Sequence, residues 1–296
     1  MITDESAQTR CVQLATDKLL IAVPDGRCWL TGLGSSTLTP LPVSPIAAER
    51  ASLAASIVEG AISAGLSGSA DATTVGPYTL PRYIRWLAGN YVFAGQTPGL
   101  FRRAGERFDA LGRSDLAAFA RQKAEEEEGH AQLAYRDLES FGLPAAQAIR
   151  LIAPPSANLF AERFRTYVES GTPIALFGFS YCLERMAVGR DDAFVRAVEA
   201  ICPANAKVYR FLKVHSMIGS DRAHVDEQLS VFESFSAAEL ETIARAAYET
   251  AELLTRQPLI DQAFSDEEIE HRLRGAGIDA PFLRTGAGAG EAQVVI

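Results

Sequence analysis

Four consecutive carboxylates followed by a histidine, Glu125-Glu126-Glu127-Glu128-Gly129-His130, lie in the middle of a helix-forming stretch. At about 100° per residue, four acids in a row sweep nearly a full helical turn, so whichever side packs, at least one of them points inward. The stripe Ala117, Ala120, Ala124, Glu127, Ala131, Ala134, Leu138, Phe141 advances in steps of three and four, and it puts Glu127 at a core position. His130 stands one turn further on, roughly 5–6 Å away between Cβ atoms, so a carboxylate oxygen and an imidazole nitrogen can meet at one point. This is the E-x-x-H spacing of a metal-binding helix. A charge run on its own is more often a solvated face with a surface histidine.

Repetition weighs against that plain interpretation. In the segment 172–189 the apolar face Ile174, Phe177, Tyr181, Glu184, Val188 again carries one acid, and in 208–232 the stripe Val208, Phe211, His215, Ile218 carries a histidine. It continues through Asp221, Val225, Leu229 and Phe232, with His224 three residues after Asp221. The chain has 4 histidines, and three of them fall at these interruptions; His271 sits in the polar run SDEEIEHRLRG and is expected at the surface. An unpartnered buried carboxylate costs several kcal/mol or takes up a proton. Three acids and three histidines on core faces therefore ask for one explanation, and a metal supplies it. The candidate ligands are Glu127, His130, Glu184, His215, Asp221 and His224.

The donor types narrow the metal. Cys11, Cys28, Cys182 and Cys202 form no C-x-x-C pair, which argues against structural zinc. Mixed carboxylate and imidazole donors suit iron (Fe2+) first and manganese second. Cys182 reads as a small buried hydrophobe rather than a nucleophile.

Composition sets the surroundings of such a site. With 296 residues, 48% of them hydrophobic, the chain can bury a sizeable core. A net charge of −9 and a pI near 5.1, with no basic stripe, argue against nucleic acid or an anionic membrane surface as partner. No apolar run approaches about 18 residues and MITDESAQTR has no signal-peptide pattern, so a cytoplasmic location is expected, in keeping with scattered cysteines. Expected partners are a small-molecule substrate and no nucleic acid or membrane, with a homodimer left open.

The elements that must position these residues are mainly helical. The β-prone runs on either side of Pro24-Asp25-Gly26 predict a hairpin over about 10–31, followed by a Ser/Thr/Pro linker. Helices are expected near 46–65, 80–94, 98–111, 114–141, 157–170, 173–188, 191–201, 206–218, 221–234, 236–256 and 258–274. The segment 68–81 reads as a loop. Ser236 with Glu239, and Ser265 with Glu268, read as capping boxes; Thr172-Pro173 reads as a helix start, and Gly142, Gly171 and Gly189 as stops. This gives an N-terminal hairpin appendage and linker over 1–45, a helical domain over 46–274 and a flexible glycine-rich tail over 275–296.

The residues from Tyr91 to Pro144, then Leu176–Glu184 (LFGFSYCLE), then Phe211–Phe232 (FLKVHSMIGSDRAHVDEQLSVF), resemble the heme-oxygenase-like di-iron oxidases and oxygenases, often called iron-containing redox enzymes. The resemblance covers roughly residues 80–255. It implies a mainly α, heme-oxygenase-like up-down bundle, with the N-terminal hairpin as an addition. It implies two ferrous ions held by Glu127 and His130, by Glu184 as bridging ligand, and by His215, Asp221 and His224. It further implies a non-heme di-iron enzyme that uses dioxygen to oxidise a small organic substrate derived from an amino acid, a fatty acid or a natural product. Two features depart from the family pattern. Position 120 is alanine where many members place a further acid, leaving Glu106 and Asp109 as nearby candidates, and His215 precedes Asp221 by six residues, with Gly219 between them as a point of bending.

Three alternatives predict different things. A ferritin-like di-iron protein would carry a glutamate on its first bundle helix, and residues 78–105 contain none. A metal-independent relative of the pyrroloquinoline quinone synthase or thiamin-salvage type would use the same polar interior to hold an organic substrate. A non-catalytic protein would pair those acids with arginines such as Arg185 and Arg222. Phe177, Phe179, Tyr181, Tyr209 and Phe211 read as core rather than pocket.

Overall fold

The structure is a computed structural model describing residues 9–42, 45–50, 52–67, 79–190, 192–203, 207–216 and 221–280; the side chains of Asp221 and Arg222 lie outside that description. So do Gly219, most of the 68–81 loop and most of the tail expected to be flexible. The chain divides into two compact units, each discontinuous in sequence. The first comprises Met1–Ala72, Ile174–Met186 and Ala223–Arg256, and the second Thr73–Pro173, Ala187–Arg222 and Gln257–Ile296.

The first unit begins with β1 (Arg10–Ala15), β2 (Lys18–Ala22), β3 (Cys28–Gly32) and β4 (Thr39–Pro40), an antiparallel meander in the order β1-β2-β3-β4. The predicted hairpin is its middle: Gly26 at φ +87° turns the chain between β2 and β3, and Leu20 lies opposite both Val12 and Leu30. The sheet is larger than expected because the two-residue connection Thr16-Asp17, which lacks glycine and so escapes the usual hairpin signal, adds β1. One face, with Val12, Leu14, Leu20, Ala22 and Cys28, is buried.

Two short helices, α1 (Pro45–Arg50) and α2 (Leu53–Ser67), replace the single helix expected over 46–65. Helix α2 is buried on nearly every side, from Ala54 through Ile62, because small residues let several neighbours approach it. A Cβ at Gly60 would stand 2.8 Å from Cys28 Sγ on the sheet, and one at Gly65 would stand 2.6 Å from Ala251 Cβ. The remaining elements of this unit are α9 (Ala175–Val188, up to Met186), α12 (Asp221–Phe232, from Ala223) and α13 (Ala237–Ile260, up to Arg256). The expected capping box starts α13: Ser236 N–H donates to Glu239 Oε2 at 2.8 Å, and Glu239 N–H returns to Ser236 Oγ at 3.3 Å.

The second unit contains α3 (Leu80–Ala94), α4 (Thr97–Ala110), α5 (Ser114–Glu126), α6 (His130–Ser140), α7 (Ala145–Ile152), α8 (Pro155–Glu169), α10 (Asp192–Ile201), α11 (Arg210–Val214) and α14 (Asp266–Gly275). Tyr83, Ile84, Leu87, Ala134, Leu138, Ile152, Val198, Val208 and Phe211 form much of its core. Thr79 caps α3 by accepting from Arg82 N–H, and Ser265 caps α14 by accepting from Glu268 N–H.

Several boundaries differ from expectation. The 114–141 helix is two helices, α7 lies where no helix is expected, and the 206–218 helix shrinks to Arg210–Val214 among the described residues. Instead of starting a helix over 258–274, residues 258–260 finish α13, which runs through Pro258 before a turn leads to α14.

Within the first unit, the closest approach is at Gly178 of α9, where a Cβ would fall 2.0 Å from Ile243 O and 2.8 Å from Ala247 N. Backbone cannot yield there as a side-chain tip can. Gly178→Ala is expected to destabilise the protein by about 3 kcal/mol or more, read as a lower midpoint in urea denaturation; an unchanged midpoint would show that the α9–α13 approach is wrong.

Candidate metal centre

Of the four consecutive acids only Glu127 is buried; Glu125 and Glu128 are exposed and Glu126 is half-buried. The alanine stripe decides this, since Ala117, Ala120 and Ala124 are all inside. The helix does not continue through the motif. Glu127 caps the C-terminus of α5, Gly129 adopts the left-handed conformation at φ +86°, and His130 opens α6. A glycine takes that conformation at no steric cost and ends a helix in the same way at many C-termini.

The break leaves the pair together. His130 Nδ1 lies 3.0 Å from Glu127 Oε2, and the His130 and His215 rings meet edge to face with centroids 4.8 Å apart. One donor atom from each of Glu127, His130 and His215 lies within 4.8 Å of the other two. His215 stands at the C-terminal end of α11 and Phe211 packs on it at 4.4 Å between ring centroids.

The first unit holds the other predicted residues. Glu184 on α9 and His224 on α12 approach to 3.9 Å between Oε1 and Nδ1, both largely out of water. Gln228, one turn beyond His224, donates its side-chain amide to Glu184 Oε2, and its own carbonyl accepts from Ser180 Oγ at 2.9 Å. The carboxylate is thus aimed by an amide that is itself held. The side chain of Asp221 lies outside the described residues. Glu106 and Asp109 are half or more exposed in ion pairs, with Arg103 at 3.0 Å and Arg121 at 2.6 Å. His271 is exposed, as expected.

Sequence patterns missed several buried polar groups. Lys123, 1% exposed, lies one turn before Glu127 on the same face, with Nζ 3.0 Å from Glu126 Oε2; its i−4 spacing was the available signal. Gln228 was legible in the same way from His224. Glu59 of α2 accepts from the Tyr181 hydroxyl and from Arg185 Nε at 3.1 Å, so Arg185 pairs with an acid outside the candidate set. Asp137, fully buried, accepts from Phe211 N–H at 3.0 Å and Arg210 Nη1 at 2.9 Å. Burial pushes the Asp137 carboxyl up from the ordinary range against the opposing effect of those donors. Burial, with the Glu59 charge second, holds the Tyr181 phenol well above its usual value, which keeps it a proton donor. Phe177, Phe179, Tyr181 and Phe211 are core residues, at most 2% exposed.

The fold is heme oxygenase-like. A domain of unknown function with a heme oxygenase-like fold from Shewanella denitrificans OS217 superposes over 79% of this chain and 95% of its own, with TM-score 0.56 and 16% identity. A CADD-like protein of unknown function from Nostoc punctiforme PCC 73102 superposes over 73% of this chain and 88% of its own, with TM-score 0.47 and 15% identity. No protein-family model and no curated protein matches the sequence. The likeness to the Shewanella domain establishes architecture and leaves chemistry to the side chains. No helix among the described residues is long and apolar enough to cross a membrane.

The cysteines stand apart from this chemistry. Cys28, Cys182 and Cys202 are buried and Cys11 is exposed. Burial pushes the Cys28 and Cys202 thiols up to about 12 and raises that of Cys182 further. A thiol reagent at pH 8 is therefore expected to label one cysteine per native chain, Cys11, and all four after denaturation. Fast labelling of Cys182 in the native protein would contradict its assignment as packing.

Proposed function

We propose that this chain is an iron-dependent oxidase or oxygenase that acts with dioxygen on a small organic substrate. The observation that carries this is the grouping of Glu127, His130 and His215, a carboxylate with two imidazoles. That donor set fits ferrous iron and leaves open coordination positions, whereas structural zinc would fill four with thiolates and imidazoles. Three atoms bound to one ion at about 2.1 Å stand about 3.0–3.6 Å from one another, so donors within 4.8 Å of one another need to close by up to about 1–2 Å.

Bound iron would supply the redox chemistry. The chain's own residues do the positioning. Glu127 brings negative charge into an alanine-lined interior, His130 meets it from the start of α6, and His215 completes the set from α11. In the first unit Glu184 and His224 offer a second carboxylate–imidazole pair, with Gln228 fixing the carboxylate orientation, and we assign a second ion to that pair. Substrate and dioxygen are the expected partners, and manganese is the alternative metal.

Anaerobic titration of the metal-free protein with ferrous iron tests this. About two ions per chain are expected, falling by one in His130→Gln or His215→Gln and by one in Glu184→Ala, with helical circular dichroism retained. Iron at a hundredfold excess over Kd should stabilise the protein by about 2.7 kcal/mol by mass action, read as a raised Tm. Absence of iron binding would overturn the proposal and favour a metal-independent enzyme that holds an organic substrate with the same residues.

A further inference from the structure

We infer that Asp137 and Arg190 are positioning residues that clamp α11 at its two ends and so set His215 against His130 before any metal arrives; this rests on the metal-centre assignment above. Helix α11 has five residues, and its own N-cap residue, Tyr209, supplies no side-chain hydrogen bond. A helix this short is not stable by itself. Something outside it must hold it.

At its N-terminus the holder is Asp137. One carboxylate oxygen accepts from Phe211 N–H at 3.0 Å and the other from Arg210 Nη1 at 2.9 Å, in a position 0% exposed. At the C-terminus Arg190 Nη1 donates to the carbonyl of His215 at 3.3 Å. The Arg190 guanidinium also lies over the Trp86 ring at 5.4 Å, and Trp86 meets Phe211 edge to face at 5.4 Å. An acid at the amino end and a cation at the carboxyl end both complement the helix dipole, so the two contacts act in the same sense.

The geometry links this clamp to the metal centre. Asp137 sits two turns beyond His130 on α6, on nearly the same face. One helix therefore carries a ligand and also grips the helix that carries another ligand. Phe211, held through its amide by Asp137, lies directly against the His215 ring. Asp137 and Arg190 need not touch the ion; they act through His215.

The test uses the full chain with Asp137→Ala, Asp137→Asn, Arg190→Ala and Arg190→Lys. In the metal-free proteins, amide hydrogen exchange at residues 211–215 is expected to speed up tenfold or more in both alanine variants, with α4 unchanged. Iron affinity of the Glu127 site should fall by about 10–100-fold, with partial recovery in Asp137→Asn, which still accepts from Phe211 N–H, and in Arg190→Lys. Faster exchange at 211–215 together with wild-type iron affinity would overturn the inference, since α11 would then be anchored without setting the ligand. Equal loss of protection in α4 and α11 would also overturn it, because Asp137 would then be a general core anchor. If Asp137→Ala does not fold, the half-buried Arg190 gives the same comparison. If the wild-type protein binds no iron, the metal-centre assignment fails; unchanged exchange at 211–215 in Arg190→Ala would still refute the clamp independently.

Discussion

The structure depends on one constraint: each carboxylate taken out of water has to be met by a donor or a cation, since an unpaired buried charge costs several kcal/mol or becomes protonated. The buried acids satisfy it in two ways. Glu59 is met by Tyr181 and Arg185, Asp137 by Arg210 and a backbone amide, and Asp261 by the amide and hydroxyl of Ser156. Each of these joins segments far apart in sequence. Asp261 caps the start of α8 from the end of α13, and Asp137 caps α11 from α6. Polar groups here do the work of cross-links between helices whose alanine-rich faces pack closely but offer little shape to fix their register.

Glu127 and Glu184 satisfy the same constraint differently. Their partners include the imidazoles of His130 and His224, and for Glu184 the amide of Gln228. A guanidinium fixed on a carboxylate competes with a metal through its permanent charge. A neutral imidazole does not, because it can present a lone pair to the same ion that the carboxylate binds. Of the three acids that sequence spacing singles out, Glu127 and Glu184 are the two whose side chains are described, and each has an imidazole among its partners, while Glu59, Asp137 and Asp261 are met by guanidinium, hydroxyl and backbone amide donors.

The same distinction explains what could be read in advance. Inward placement of Glu127 followed from the alanine stripe, and the histidines stood out because they are few and fall on apolar faces. Ser236 and Ser265 announced helix starts through local chemistry alone. Asp137 was invisible because it lies off the core stripe of the helix expected over 114–141, and its partners come from residues more than seventy positions later. Pro258 misled for a related reason: proline normally ends a helix within a residue or so, yet the last turn of α13 persists, with Asp261 N–H donating to Gln257 O and the Asp261 side chain tied to Ser156. Local rules described the elements, and long-range hydrogen bonds moved their ends.

Gly129 shows how a local irregularity shapes the candidate centre. On an uninterrupted helix, Glu127 and His130 would both lean toward the N-terminus along one rod. Any helix carrying a third donor would then have to approach that rod from the side. With the left-handed turn at Gly129, α5 ends on Glu127 and α6 begins on His130 in a new direction. That direction places Asp137 where it can hold α11, and α11 ends on His215. On the proposed assignment, the order Glu127, Gly129, His130, Asp137 would encode a ligand, a change of direction, a second ligand and the anchor for the third within eleven consecutive residues. The acidic run that stands out in the composition is the point at which one helix ends on Glu127 and the next begins on His130.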